Sequence, residues 1–249
     1  MADALAKHRR LRRIVAQREG GTMRTDIWRL PMVGANCYLI RQEGIMLIDA
    51  APPRRVSRLA RKLDLLSIKP TDISLIVITH AHYDHVGSLH DLHGLTGAKV
   101  AVNRHEKGWV EKASHPRPPA FGLWGKTLRL FGGWTASLAG HYPGTSVDIA
   151  LDDADFPLQP FGISGRIIYT PGHTPGSSIV LLDTGDAFVG DLAMNGFPLR
   201  LGPGMPCFGD NPEAVRRSWK LILDQGAKTI YPGHGQPFKA DALRKAPHE

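Results

Sequence analysis

The sequence has no apolar run that approaches the roughly 20 residues needed to cross a membrane as a helix. Its first 20 residues also lack the apolar core of a signal peptide. Cysteine is scarce, since Cys37 and Cys207 are the only two in 249 residues. Two cysteines cannot build the disulfide framework that small secreted domains use. These absences predict a cytoplasmic globular protein without a membrane span.

The chain carries a formal net charge of +8, which is typical of some nucleic-acid-binding proteins. The basic residues are dispersed, however, and two groups of them fall in segments patterned like amphipathic helices. A nucleic-acid partner therefore stays open without being favoured. Another group lies in residues 1–20, a basic N-terminal arm. A disordered lead-in, a docking helix and an anion-binding tail are all consistent with this arm.

Hydrophobic periodicity predicts a strand-rich chain beyond the arm. Strands are expected at residues 25–30, 36–41, 45–49, 74–78, 98–103, 146–151, 166–170, 178–182, 187–190 and 229–231. Helices are expected after Pro52, over 86–95 and 104–112, and from Pro212 to Gly226, with Asn211 as the N-cap. Helices between groups of strands indicate sheets covered by helices, an α/β (α+β) fold. Residues 21–249 are predicted to form a single domain.

Residues 113–145 show no clear period, and we predict an irregular, aromatic-rich insertion there. Its aromatic residues include Phe121, Trp124, Phe131 and Trp134. Two roles fit it equally well. It could be a lid whose aromatic side chains line an apolar pocket, or an interface that makes the protein a homodimer.

The densest chemical signal is the stretch 79–85, which reads Thr-His-Ala-His-Tyr-Asp-His. It follows the predicted strand 74–78 and precedes a segment that can turn into a helix. His80 and His82 are two residues apart, so both lie on one side of an extended chain. Asp84 and His85 follow where the chain must turn. Imidazoles clustered with a carboxylate are typical ligands of a zinc-type divalent ion.

Three further candidate ligands follow predicted strands elsewhere in the chain. His173 lies in a Pro-Gly-His sequence after strand 166–170, and His234 lies in another after strand 229–231. Asp191 ends the strand 187–190. Strand-end loops let a rigid scaffold hold such side chains within reach of solvent. The Pro-Gly pair stiffens each loop and lets its backbone approach closely.

Taken together, these motifs resemble the metallo-β-lactamase superfamily of metal-dependent hydrolases. The matching sequences are 80–85, 172–176, 190–191 and 233–235, and 47–49 resembles the family's early strand-end aspartate. The match runs in order from about residue 26 to residue 238, outside the arm and the insertion. The resemblance implies a four-layer αββα sandwich with the metal site at one edge of the two sheets.

The resemblance also implies a ligand set for two divalent ions. His80, His82 and His173 would hold the first ion. Asp84, His85 and His234 would hold the second, and Asp191 would bridge the two. Asp49 would orient a ligand through a hydrogen bond. Zinc is the expected metal, with iron and manganese as alternatives.

Two divalent ions about 3.5–4 Å apart can share a water and lower its pKa, which provides a hydroxide nucleophile at neutral pH. Asp84 is expected to be the catalytic residue that orients this hydroxide or accepts its proton. The leading hypothesis is a dinuclear hydrolase of a small-molecule ester, thioester or lactone.

Two alternatives of the same fold stay open. One is a phosphodiesterase or nuclease, which the basic charge fits. The other is a persulfide dioxygenase with a single iron on His80, His173 and Asp191. Quorum-quenching lactonases are similar but typically carry a tyrosine where this chain has Met194, so a homoserine-lactone substrate is not favoured.

Overall fold

The computed structural model describes residues 13–16, 24–137, 141–196 and 199–246. Its strands are β1 (Arg13–Ala16), β2 (Thr25–Pro31), β3 (Asn36–Arg41), β4 (Ile45–Ile48), β5 (Leu75–Val77), β6 (Lys99–Asn103), β7 (Ile149–Leu151), β8 (Phe156–Pro157), β9 (Gly165–Tyr169), β10 (Ser178–Leu182), β11 (Asp186–Gly190), β12 (Thr229–Pro232) and β13 (Phe238–Lys239). Its α-helices are α1 (Val56–Leu65), α2 (Tyr83–Val86), α3 (Leu89–Thr96), α4 (Arg104–Lys112), α5 (Gly122–Ser137), α6 (Pro212–Asp224) and α7 (Asp241–Arg244).

The strands form two sheets. The first has seven strands in the order β1 to β7, antiparallel from β1 to β4 and parallel from β4 to β7. The second has six strands in the order β13-β12-β11-β10-β9-β8, with one parallel pair, β11 and β12. The pairing directions bring the carboxyl ends of β4 and β5 to one edge of the first sheet. They likewise bring the carboxyl ends of β9, β11 and β12 to one edge of the second.

Three apolar clusters separate four layers. Side chains on the inner faces of the sheets pack together, among them Tyr38, Ile48, Val180 and Phe188. The outer face of the first sheet packs against helices α1, α3 and α4 through residues such as Leu59 and Leu92. The outer face of the second packs against α6. The strands are buried on both faces, which explains their nearly continuous apolar runs. The predicted αββα sandwich is confirmed.

The helix predicted from Pro212 is confirmed in detail. The side chain of Asn211 accepts a hydrogen bond from the backbone N–H of Ala214 at 2.9 Å, and Pro212 occupies the first turn. Val215, Trp219 and Ile222 are buried as a helical stripe. The helix predicted after Pro52 begins only at Val56, because Arg54 adopts a left-handed conformation that a continuing helix cannot accept.

The insertion prediction is wrong in one respect. Residues Gly122–Ser137 form helix α5, so the segment 113–145 contains a regular helix of 16 residues. Residues 1–12 and 17–20 of the predicted arm lie outside the described residues, and Arg13–Ala16 adds strand β1 to the first sheet. The single domain over 21–249 stays a prediction. Within the described ranges, no helix combines the length and the apolar character needed to cross a membrane.

Candidate metal centre

The predicted ligands meet at the edge where the carboxyl ends of the strands lie. His80, His82, Asp84 and His85 follow β5 and run into α2, while His173 follows β9. Asp191 follows β11 directly, and His234 lies two residues beyond β12. A backbone hydrogen bond connects the two sheets at this edge: the N–H of Ser178, the first residue of β10, donates to the carbonyl of Thr79 at 2.9 Å. The structure therefore brings all seven predicted residues together.

His80, His82 and His173 form one compact group, called here the first triad. The Nε2 atom of His173 lies 3.2 Å from Nε2 of His80 and 3.0 Å from Nδ1 of His82. The three imidazole rings are nearly perpendicular to one another. Three nitrogen atoms that converge in this way are a donor set for a zinc-type ion.

Asp84, His85 and His234 form the second triad. The Nε2 atom of His234 lies 3.3 Å from Oδ2 of Asp84, and Nε2 of His85 lies 3.9 Å from the same oxygen. His85 is fully buried, whereas the side chain of Asp84 keeps 17% of its surface exposed. Asp84 is therefore the most exposed member of this triad, ahead of His234 at 10%.

Asp191 lies between the two triads. Its Oδ2 atom is 3.7 Å from Nε2 of His173 and 4.0 Å from Nε2 of His80 in the first triad. The same oxygen is 3.1 Å from Nε2 of His234, and Oδ1 is 3.4 Å from Nε2 of His85, both in the second triad. A single carboxylate thus faces both groups of nitrogen donors.

Two buried atoms of this cluster indicate that it suits metal ions. The Nε2 atom of His85 and the Oδ1 atom of Asp191 have no hydrogen-bond partner among the described residues. An unpaired buried polar atom costs about 1–3 kcal/mol, so native proteins seldom leave one without a partner. The two atoms lie 3.4 Å from one another, where the second triad meets Asp191. The donor set of imidazoles and carboxylates matches the preferences of zinc, iron and manganese ions.

The two triads differ in charge. Burial lowers the pKa of His80, His82 and His173, and neighbouring imidazoles lower it further at the first two. These rings are neutral, which is the form that binds a metal. In the second triad, burial also disfavours the charged imidazole of His234, but Asp191 and Asp84 overcome it and raise its pKa to about 10.

The pKa values of the two carboxylates in the centre are lowered. Burial alone raises the pKa of Asp84, but His85 and His234 outweigh it and lower that pKa below the ordinary range. The same balance, led by His234 and His85, holds the pKa of Asp191 well below normal. Burial also opposes a charged His85, yet Asp49, Asp191 and Asp84 raise its pKa well above normal.

Asp49 fixes the orientation of the ligand loop, as the resemblance implied. Its carboxylate accepts the backbone N–H of Thr79 at 2.8 Å and lies 2.8 Å from Nδ1 of His85. The hydroxyl of Thr79 lies within 3.0 Å of both Asp49 oxygens and 3.1 Å from Nδ1 of His80. Such contacts set which ring nitrogen of a histidine faces the metal. His173 is oriented separately, because its Nδ1 lies 2.8 Å from the carbonyl of Phe208.

A buried carboxylate that sequence reasoning missed connects the loops of the first triad. Glu106, on α4, accepts hydrogen bonds from the backbone N–H of Ala81 and from the hydroxyl of Thr174. It also accepts the backbone N–H of Gly176 at 2.9 Å. Ala81 lies between His80 and His82, and Thr174 follows His173. Glu106 therefore holds together the two loops that carry the three histidines.

Glycine is required at two places where backbones crowd the centre. A Cβ atom at Gly233 would clash with the Asp191 carboxylate and with the ring of His85. Gly190 has a φ of 50°, and a Cβ there would collide with the side chain of Thr79. The expectation that the Pro-Gly pair before His234 permits close backbone approach is confirmed.

A further histidine, His115, is partly buried beside the centre. The ring of His115 is 5.0 Å from that of His82, and its Nε2 accepts the backbone N–H of Tyr83 at 3.3 Å. Its Nδ1 lies 3.0 Å from the carbonyl of Pro116. Because both ring nitrogens contact the backbone, His115 ties the segment before α5 to the ligand loop.

The sequence is similar to several proteins, among them two from one bacterium. The chain is 29% identical over 250 residues to the uncharacterized protein YobT of Bacillus subtilis, with 90% of this chain and 94% of that protein covered. It is 26% identical over 217 residues to the probable metallo-hydrolase YqgX of the same organism, covering 84% of this chain and 90% of the relative.

A solved structure shows the same fold. The crystal structure of the BLEG-1 B3 metallo-beta-lactamase superimposes with a TM-score of 0.64 at 18% identity. The superposition covers 86% of this chain and 94% of that one. The family model of the metallo-beta-lactamase superfamily matches residues 30–234, a range that includes all seven predicted ligands. This chain belongs to the metallo-beta-lactamase superfamily and is a metal-dependent hydrolase of that family.

Proposed function

We propose that the protein is a dinuclear hydrolase that uses zinc and cleaves a carboxylic ester, thioester or lactone. His80, His82 and His173 would hold one ion, and Asp84, His85 and His234 the other. Asp191 would bridge them. The observation that carries this proposal is the position of Asp191, whose two oxygens lie within 4.0 Å of nitrogen donors from both triads.

Ions at these positions would lower the pKa of a shared water towards ~7 and polarise the carbonyl of the substrate. The chain contributes the geometry for this chemistry. Its rigid strand ends and the hydrogen bonds of Asp49 and Glu106 hold the donors in place before any ligand arrives. Donors fixed in advance do not have to reorganise during the reaction.

Asp84 has the position of a proton acceptor. Its Oδ2 atom lies 3.3 Å from Nε2 of His234, and its side chain is partly exposed to solvent. The neighbouring imidazoles keep its pKa low, so it is ionised at neutral pH. An ionised carboxylate here can orient the attacking water and take its proton.

The surroundings favour an acyl substrate over a phosphodiester. Sites that bind phosphate esters usually aim Arg or Lys side chains at the phosphate oxygens. In the described part of the chain, the ion pairs of Arg41 with Asp26, Arg104 with Asp153 and Arg166 with Asp155 involve no residue of either triad. Arg29 lies nearer, but its guanidinium donates to the backbone carbonyl of Gly235 at 2.8 Å.

The test begins with protein expressed without metal supplementation, whose zinc, iron and manganese content per chain is measured by elemental analysis. The same protein is then assayed on p-nitrophenyl esters, a thioester, a γ-lactone and bis-p-nitrophenyl phosphate. Asp84→Asn provides the control for background activity. We expect about two zinc ions per chain and acyl turnover at least about 100-fold above that of the phosphodiester.

Two results would overturn this proposal in different ways. Dominant turnover of the phosphodiester, lost in Asp84→Asn, would identify a phosphodiesterase. One iron per chain, with oxygen consumption in the presence of glutathione persulfide, would identify the dioxygenase built on His80, His173 and Asp191.

A further inference from the structure

Helix α5 presents large apolar side chains to solvent. Leu123 is 83% exposed and Leu130 is 80% exposed. They are seven residues apart, so they lie on the same face of the helix, two turns from one another. Trp124, beside Leu123, is 51% exposed. Isolated exposed leucines are ordinary, but several on one helix face are a feature of binding surfaces.

The charge of this region has one sign. The sequence contains no aspartate or glutamate from residue 112 to residue 147, whereas it has Lys112, Arg117, Lys126 and Arg129 there. Lys126 and Arg129 are exposed and lie on α5 itself, on one flank of the leucine face. The surface therefore combines apolar side chains with positive charge.

The opposite side of α5 is fixed to the protein. The backbone N–H of Phe121, just before the helix, donates to the carbonyl of Cys207 at 2.7 Å. Gly125 is buried against the same carbonyl, where a Cβ would clash. Phe121 also packs against the cluster between the second sheet and α6. The leucine face thus points outwards because the first turn is anchored, and it needs no rearrangement to meet a partner.

We propose that this face of α5, formed by Leu123, Trp124, Lys126, Arg129 and Leu130, docks on the surface of an anionic lipid bilayer. A helix that lies in a membrane interface has leucine and tryptophan on one side and lysine and arginine beside them. The basic flank complements acidic headgroups. A second copy of the chain is a poorer partner, because a twofold contact would bring Lys126 and Arg129 against the same cations.

Docking there would bring the metal centre close to the lipid. The helix rests on the loop 207–209, and the Phe208 carbonyl in that loop contacts Nδ1 of His173. Esters dissolved in the bilayer would then be near the centre, a consequence that rests on the proposed function. The membrane binding itself does not rest on it, and it is measured without any substrate.

The test measures binding of the full-length protein to sedimented vesicles. One set contains phosphatidylcholine alone, and the other contains phosphatidylcholine with phosphatidylglycerol. Leu123→Ser with Leu130→Ser removes the apolar contact, and Lys126→Glu with Arg129→Glu reverses the charge. The matched controls are Leu65→Ser with Leu95→Ser, and Arg58→Glu with Arg61→Glu, which repeats the spacing of the two cations on α1. All these positions are exposed, so the variants should fold.

We expect binding to the anionic vesicles that weakens as salt rises. The leucine pair should reduce the partition constant about tenfold, and the charge reversal should reduce it at least about tenfold. The controls should change it less than about twofold. Absence of binding to anionic vesicles, or equal binding by variants and controls, would overturn the proposal. A dimer in analytical ultracentrifugation that the leucine pair disrupts would overturn it in favour of a second copy.

Discussion

The two triads lie side by side and face the same carboxylate, that of Asp191, yet the pKa values of their histidines shift in opposite directions. Burial keeps the first triad's three imidazoles neutral. The second triad places its two imidazoles among Asp49, Asp84 and Asp191, which hold protons on both rings. A metal ion can therefore bind to the first triad without displacing a proton. The second triad must release protons before it can bind a metal ion. Neighbouring metal positions of similar geometry can thus respond differently to pH.

The largest expected effect comes from the residue that joins the triads. Asp191→Asn keeps the shape of the side chain but removes the charge that faces both donor groups. We expect kcat/KM to fall by about 10³-fold or more, and metal content to fall below two per chain. Asp186→Asn is the matched control, because Asp186 is buried at the start of β11, the strand that Asp191 follows, and accepts a hydrogen bond from Tyr231 instead. Unchanged turnover in Asp191→Asn would show that Asp191 does not bridge two catalytic ions.

Single ligand removals separate the two positions. His82→Ala affects only the first triad, and His234→Ala affects the second. We expect each variant to bind about one zinc ion per chain with high affinity and to lose about 10²-fold or more in kcat/KM. Equilibrium dialysis measures both stoichiometries. If either variant kept two tightly bound ions, the division into two triads would be wrong.

Glu106→Gln tests the connection between the loops of the first triad. The amide keeps the size of the side chain but turns a donor group towards backbone N–H groups that need an acceptor. We expect zinc affinity of the first position to fall about 10–100-fold, with the second position affected less. Glu111→Gln, at an exposed site on the same helix, should leave both affinities unchanged. Equal weakening of both positions in Glu106→Gln would argue for general loosening of the structure.

The smallest effect concerns the metal-free protein. The first triad's histidines have a lowered pKa in the folded state, so their contribution to stability is lost as pH falls below about 6.5. His234 has a raised pKa, so its contribution is present below about 6.5 and is lost as pH rises towards about 10. We expect the free energy of unfolding, measured with urea, to be greatest near pH 6.5. Zinc should reduce the loss of stability above pH 6.5. A metal-free protein whose free energy of unfolding rises from pH 7 to 9 would contradict the opposite pKa shifts of the two triads.

Local patterns in the sequence were enough to predict most of the centre. His80, His82, Asp84 and His85 occupy six positions after an apolar strand, and His173 and His234 follow Pro-Gly pairs. Each signal lies within a few residues, and the order of strands brings the loops to one edge. Glu106 could not be found in this way, because its partners Ala81 and Thr174 are 25 and 68 residues away in sequence. Its helix shows an ordinary amphipathic pattern.

Helix α5 escaped prediction for a different physical reason. Sequence patterns identify a helix by apolar residues on the side that faces the core. In α5 that side includes Gly125, while Leu123 and Leu130 point to solvent. Glycines within the helix also lower its intrinsic propensity. In the first turns of α5, large apolar side chains therefore face solvent and a glycine faces the protein, the reverse of an ordinary surface helix. The same exposed leucines are the basis for the proposed membrane contact.

Anomalous diffraction from zinc-loaded crystals would show whether Asp191 joins a pair of ions. We expect two peaks about 3.5–4 Å apart. One should lie against Nε2 of His80, Nδ1 of His82 and Nε2 of His173, and the other against Asp84, His85 and His234, with Asp191 between them. A single peak on His80, His173 and Asp191 at saturating zinc would contradict it.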